Sequence, residues 1–360
     1  MTLVSPSIEA LRPYQGGKPI EELARETGLT DIVKLASNEN PLGASPLAIA
    51  AAQRALAEVY RYPDGSGHRL RTAIATFHGV DPSEVVHGNG SNEIIELIVR
   101  TFTTPGDEMV FGQPAFSMYP VVAMSQNVSF VRVSTHGNLV HDLASMERAI
   151  TSRTRVVIID NPNNPTGTYV PRPIVERFLR SIPREVVVVL DEAYFEYATA
   201  SDYPDGLTLR ELHPRLMVLR TFSKAYGLAG LRVGYGIGPS ELVGYLHRVR
   251  APFNVGVPSQ EAAIAALEDG EHLRRTVQLN ETERARLSAG LIECAERVFP
   301  SQANFVLADF GRPSLPLYEQ LLSRGVIVRP IPGLETHLRV TVGLPRENDR
   351  FLSALREVLQ

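Results

Sequence analysis

Tryptophan is missing from this chain of 360 residues, and cysteine occurs once, at Cys294. A lone thiol excludes an intramolecular disulfide and a cysteine-rich metal site, and in a helical-looking segment it reads as inert packing. The 9 histidines show no HExxH or comparable ligand spacing, which argues against a catalytic metal. Long apolar runs are lacking too. None reaches membrane-spanning length, and residues 1–20 lack the basic-then-apolar order of a secretory signal. Net charge is only −4 and the basic residues are dispersed, so neither a nucleic acid nor a membrane is expected as a partner. These absences leave a cytoplasmic enzyme as the default.

What is present is an ordinary globular composition, 44% hydrophobic and 21% charged. The length exceeds what one core usually fills, which predicts a large domain with a smaller companion. Residues 1–30 read as an arm, turn-rich at 12–19, with a short helix opened by Pro19. Residues 31–250 read as the large domain. Its strand candidates, 108–111, 128–133, 156–160, 186–191, 216–221 and 233–236, include several unbroken β-branched runs, as in parallel strands covered on both faces. Helical stretches lie between most of them, so the expected core is α/β, a mostly parallel sheet flanked by helices. After the hinge-like segment 251–258 the pattern changes to a smaller α+β domain, 251–360. There a long helical region spans about 259–298, split near Gly270. Strands at 303–307, 326–328 and 338–342, a helix near 316–323, a loop at 330–336 and a final helix complete it.

The chain is organised around 220–232. An apolar strand ends at Thr221, and Ser223, Lys224 and Arg232 follow. A lysine amine condenses with an aldehyde, while hydroxyls and a guanidinium hold a phosphate. Lys224 therefore reads as the amine that captures an aldehyde cofactor, with Thr221, Ser223 and Arg232 receiving its phosphate. Taken alone, the same residues also fit a solvated lysine and a surface ion pair. The neighbouring strand ends add weight, because ligands bind beyond the carboxyl ends of parallel strands. Asn161-Pro162-Asn163-Asn164 follows one strand, Asp191-Glu192-Ala193-Tyr194 the next, and Ser223-Lys224 the third. Asp191 ends a very apolar strand, where an ionised acid needs a cationic partner such as a pyridinium N–H, or else caps a helix. Tyr194 and Asn164 are within reach of the same ring. Gly88-Asn89-Gly90-Ser91-Asn92-Glu93 opens an amphipathic helix whose N-terminus is either a phosphate seat or a plain cap. The loop 37–43, rich in amides, is equally readable as a cap for a helix at about 46–57.

Together with Arg12-Pro13-Tyr14, Ser37-Asn38-Glu39-Asn40-Pro41, Tyr62-Pro63-Asp64-Gly65, Asn163-Asn164-Pro165-Thr166-Gly167 and Leu338-Arg339-Val340-Thr341-Val342-Gly343, these motifs form an ordered set over nearly the whole chain. The set resembles the histidinol-phosphate aminotransferases, within the fold type I, pyridoxal-phosphate-dependent aminotransferases. The resemblance implies that Lys224 captures pyridoxal 5'-phosphate and moves the substrate proton, with Asp191 on the ring nitrogen and Asn164 and Tyr194 on the ring hydroxyl. It implies that Ser91 and Asn92 join Thr221, Ser223 and Arg232 at the phosphate, and that Phe116 stacks on the ring where many members carry tyrosine. Tyr62 would reach that phosphate from the other subunit of a homodimer. Arg339, with Tyr14 and Arg329, would bind the substrate's anionic end. Nitrogen would pass from histidinol phosphate to 2-oxoglutarate in two half-reactions at one site. Phe253 and Asn254 are expected beside Phe116 in the side-chain pocket.

Relatives with the same motifs act on phenylalanine and tyrosine, and others decarboxylate; the motifs leave both open. Gly234-Tyr235-Gly236-Ile237-Gly238 has a superficial dinucleotide look, but its glycines alternate along a strand without the step into a helix.

Overall fold

The computed structural model describes residues 3–13, 16–135 and 137–360. The first strand, β1 (Val33–Lys34), is short and stands apart from the main sheet. That sheet has seven strands: β2 (Val85–Gly88), β3 (Glu108–Gln113), β4 (Ser129–Ser134), β5 (Thr154–Asp160), β6 (Val187–Asp191), β7 (Leu216–Thr221) and β8 (Gly234–Ile237). Their spatial order is β2-β8-β7-β6-β5-β3-β4. Only β8 runs against its neighbours.

Side-chain alternation explains why these runs are apolar throughout. Val187 and Val189 of β6 enter one core layer, while Val188 and Leu190 enter the layer on the opposite face. Strand β5 divides in the same way, Val156 and Ile158 against Val157 and Ile159. Continuing the period of two places Asp160, Asp191 and Thr221 on the first of these faces, at the carboxyl ends of adjacent strands. Asp160 and Asp191 stand directly opposite each other in the ladder. The polar cluster is thus a consequence of strand register.

The C-terminal part carries β9 (Arg297–Val298), β10 (Phe305–Asp309), β11 (Val326–Ile327), β12 (Arg329–Ile331) and β13 (Leu334–Thr341). All but β11 form an antiparallel sheet, which the helices Gly270–Ile292, Ser314–Ser323 and Pro345–Leu359 accompany.

Several sequence expectations need correction. The helical region drawn to 298 stops at Ile292, and β9 follows because its backbone finds the β10 edge. The preceding break at 269 arises from Asp269, whose side chain accepts from His272 N and starts a new helix. The segment 330–336, read as a loop for its proline and glycine, is a hairpin turning at Gly333. β2 was not among the strand candidates, since four residues containing His87 and Gly88 carry little β signal.

Packing also cuts across the boundaries at 31 and 251. β1 pairs in parallel with β11, and Val33 and Leu35 sit in the C-terminal apolar cluster. Conversely Val255, Ala262 and Ala266, from 251 onward, pack with Leu70, Ile74 and Phe222. Among the described residues no helix is long and apolar enough to cross a membrane.

Candidate active site

A cavity of about 350 Å³ opens at the carboxyl ends of β5, β6 and β7, a volume suited to a small cofactor. Lys224 lines it, with its Nζ donating to Ser37 O at 3.2 Å. Burial pushes this amine down to about 8, and the positive charge of Arg339 adds to the effect. A neutral, nucleophilic amine is therefore accessible near physiological pH.

Asp191 faces the same space. Tyr119 donates its hydroxyl to Asp191 Oδ2 at 2.9 Å, whereas Oδ1 is buried with no hydrogen-bond partner. Burial pushes the carboxyl up to about 7, and neighbouring Asp160 pushes the same way against the Tyr119 bond. An orphaned buried oxygen is costly unless a donor arrives. A protonated ring nitrogen is such a donor, so the acid fits the implied cofactor.

The helix Ser91–Phe102 begins after Gly90, which has φ +75°, and no side chain caps its N-terminus. A Cβ at Gly90 would lie 2.6 Å from Arg232 Nη2, so glycine lets the guanidinium approach the helix start. Arg232 Nη1 also donates to Ser223 Oγ at 3.4 Å and to Ala229 O at 3.1 Å. Thr221, Ser223, Ser91 and Asn92 complete this corner of the cavity. Free N–H groups, hydroxyls and a guanidinium converging there make a seat for a phosphate.

At the other side, Arg339 Nη1 donates to Asn164 Oδ1 at 2.6 Å and Nη2 to Ala36 O at 2.7 Å. Arg329, Phe116 and Tyr194 also line the cavity. Tyr194 OH accepts from Asn38 Nδ2 at 2.8 Å, and burial raises the phenol to about 12. The loop 37–43 therefore belongs to the site. The helix Pro46–Ala55 is capped by Ser45, while Asn40 Nδ2 donates to Ala225 O at 2.9 Å, beside Lys224.

Tyr62, Phe253 and Asn254 do not join this cavity within one chain. Tyr62 is 82% exposed and stacks on Phe253 at 4.8 Å between ring centroids. Asn254 instead bonds Arg250 and Glu93. Phe253 and Asn254 were expected beside Phe116; the turn that carries them packs against the 61–67 loop, where Arg250 donates to Gly65 O at 2.6 Å. Tyr14 lies outside the described residues. Sequence reasoning missed the partners of the site residues: Tyr119 behind Asp191, Asn38 behind Tyr194, and Asp160 between two loops. Asn38 sits in a quoted motif and Asp160 ends a strand candidate, but their pairing, like that of Tyr119, has no local signal.

A seven-stranded sheet of this kind, with its cavity at the carboxyl ends, is the architecture of the fold type I transferases. The chain is similar to the structure of histidinol-phosphate aminotransferase from Sinorhizobium meliloti in complex with pyridoxal-5'-phosphate. The TM-score is 0.91 at 28% identity, covering 100% of this chain and 98% of that one. The model of the class I and II aminotransferases matches residues 30–355, and the chain belongs to that family. Histidinol-phosphate aminotransferase 2 of Pseudomonas fluorescens strain Pf-5 is 50% identical over 363 residues, covering 100% of this chain and 98% of its own. The histidinol-phosphate aminotransferase of Anaeromyxobacter sp. strain Fw109-5 is 49% identical over 362 residues, with 100% of both chains covered.

Proposed function

We propose that this chain is a pyridoxal-phosphate-dependent aminotransferase that exchanges nitrogen between histidinol phosphate and 2-oxoglutarate, giving imidazole acetol phosphate and glutamate. The observation that carries the chemistry is Lys224's amine sharing one cavity with Asp191, whose Oδ1 lacks a partner. Full-length similarity to histidinol-phosphate aminotransferases, 50% identical in the Pseudomonas fluorescens case, carries the substrate.

When bound, the cofactor supplies an aldehyde carbon and a protonated ring that accepts electrons. Asp191 would hold the proton on the ring nitrogen. Ser91 and Asn92 offer backbone N–H groups to the phosphate, with Thr221, Ser223 and Arg232 beside them. Asn164 and Tyr194 would bind the ring hydroxyl, and Phe116 would pack on the ring. Lys224, partly neutral at working pH, would take the proton from the substrate carbon that bears nitrogen and deliver it to the cofactor's former aldehyde carbon. Arg339 and Arg329 bind the anionic end, a phosphate in one half-reaction and a carboxylate in the other. Arg339 is already oriented for this by Asn164 and Ala36 O. One site serving both halves predicts ping-pong kinetics.

The test is turnover with 2-oxoglutarate as acceptor. Histidinol phosphate should exceed phenylalanine by at least about tenfold in kcat/KM. The reverse preference would assign an aromatic amino acid aminotransferase, and carbon dioxide release without glutamate would assign a decarboxylase.

A homodimer with shared sites is part of the same proposal. Leu47, Ile49, Leu56, Val59, Tyr60 and Tyr62 are exposed along one helix and the turn after it. Such apolar exposure marks an interaction surface. Tyr62, exposed at the end of this face, would reach the phosphate bound by the partner subunit. A cytoplasmic location fits the single cysteine.

A further inference from the structure

Asp160 is 3% exposed and takes part in none of the steps above, yet it lines the same cavity. Its Oδ2 accepts from two backbone amides on different loops, Phe116 N at 3.3 Å and Asn164 N at 3.1 Å. Its Oδ1 is 2.7 Å from His141 Nε2. His141 is itself buried, in the loop before the helix Leu143–Arg148, and its ring fills the space that Gly112 leaves open beside β3. A side chain at position 112 would collide with that ring. One carboxylate thus staples the loop after β3 to the loop after β5, and one imidazole fixes the staple. Hydrogen bonds to a buried charged group are among the stronger ones, and amides released inside a buried site would go unsatisfied.

We propose that Asp160, anchored by His141, is a positioning residue of the cofactor site. By holding the amides of Phe116 and Asn164 it fixes the two side chains that line the cavity next to Asp191. This rests on the reading of the cavity as a pyridoxal-phosphate site.

The experiment loads the full-length apoprotein with pyridoxal phosphate, measures affinity by absorbance, and records the visible circular dichroism of the bound cofactor. Asp160→Leu should bind about tenfold more weakly, with an altered dichroic band, because both amides lose their acceptor. Asp160→Asn keeps a carbonyl that can accept both amides, so it should restore affinity to within about threefold and recover the band. An Asp160→Asn protein as weak as Asp160→Leu would overturn the proposal, since charge and not the held loops would then matter. Normal binding and an unchanged band in Asp160→Leu would overturn it as well. Failure of the unaltered protein to bind would overturn both this inference and the cofactor reading beneath it. Should Asp160→Leu not fold, His141→Phe carries the test by removing the anchor alone. It should weaken binding about threefold and alter the band; an unchanged band refutes the staple.

Discussion

Tyr119 donates its hydroxyl to Asp191 Oδ2 across 2.9 Å, and both side chains are buried. This bond fixes one oxygen of a carboxylate that lines the cavity, while its second oxygen is buried without a partner. Tyr119→Phe keeps the ring and removes the donor. Its expected effect is about a tenfold loss of kcat/KM with a melting temperature within a few degrees of the parent. Steady-state kinetics and a thermal melt check this; unchanged kinetics would mean that other groups orient Asp191.

Asp191 also makes the empty protein pH-sensitive. Its carboxyl rises from 3.8 to about 7 on folding, mainly through burial. Between those values the folded state keeps a proton that the unfolded state has lost, so stability falls as pH climbs through the window. Asp191→Asn should therefore stabilise the apoprotein by about 1–2 kcal/mol at pH 8, and not at all near pH 4. The same variant should lose most of its transamination. Denaturant melts at the two pH values decide the matter.

Lys224 gives the opposite slope. Its amine falls from 10.5 to about 8 on folding, so the unfolded state binds the extra proton between these values. The cost is complete below pH 8 and disappears as pH approaches 10.5. The amine faces the cavity, so solvent there reduces the effect. Lys224→Met should gain about 1–2 kcal/mol of apoprotein stability at pH 7 and converge with the parent near pH 10.5. Transamination should drop about a thousandfold or more. A Lys224→Met protein with near-parental turnover would end the proposed mechanism.

Gly90→Ala tests the phosphate seat. The backbone there has φ +75°, and the new Cβ would stand 2.6 Å from Arg232 Nη2. Loss of about 1–2 kcal/mol of stability is expected from the backbone strain alone. Displacement of Arg232 should in addition weaken pyridoxal-phosphate binding, read by titration of the apoprotein. Weaker folding with unaltered affinity would remove Arg232 from the phosphate.

Val59 is 57% exposed and Tyr60 71%, on the proposed dimer face. Val59→Glu with Tyr60→Glu should shift sedimentation to the monomer, because like charges would meet across a symmetric interface. An unaltered dimer would place the interface elsewhere.

Sequence alone determined most of the large domain's parallel strands and the chemistry at their ends. Runs such as Val187–Leu190 are short, apolar at every step and mostly β-branched, the pattern of a strand covered on both faces. The period of two then sets Asp191 at its end, on a definite face. Lys224, Arg232 and the Gly90 turn were legible because strand, turn and helix start are local events. Tertiary structure alone decided which groups meet: Arg339 with Asn164, 175 positions apart, Tyr119 with Asp191, 72 apart, and β1 with β11. It also removed Phe253 and Asn254 from the pocket and placed Tyr62 on the surface. The physical reason is that burial and periodicity are properties of a short stretch. A hydrogen-bond partner is selected by the packing of distant layers, and no stretch of chain specifies it by itself.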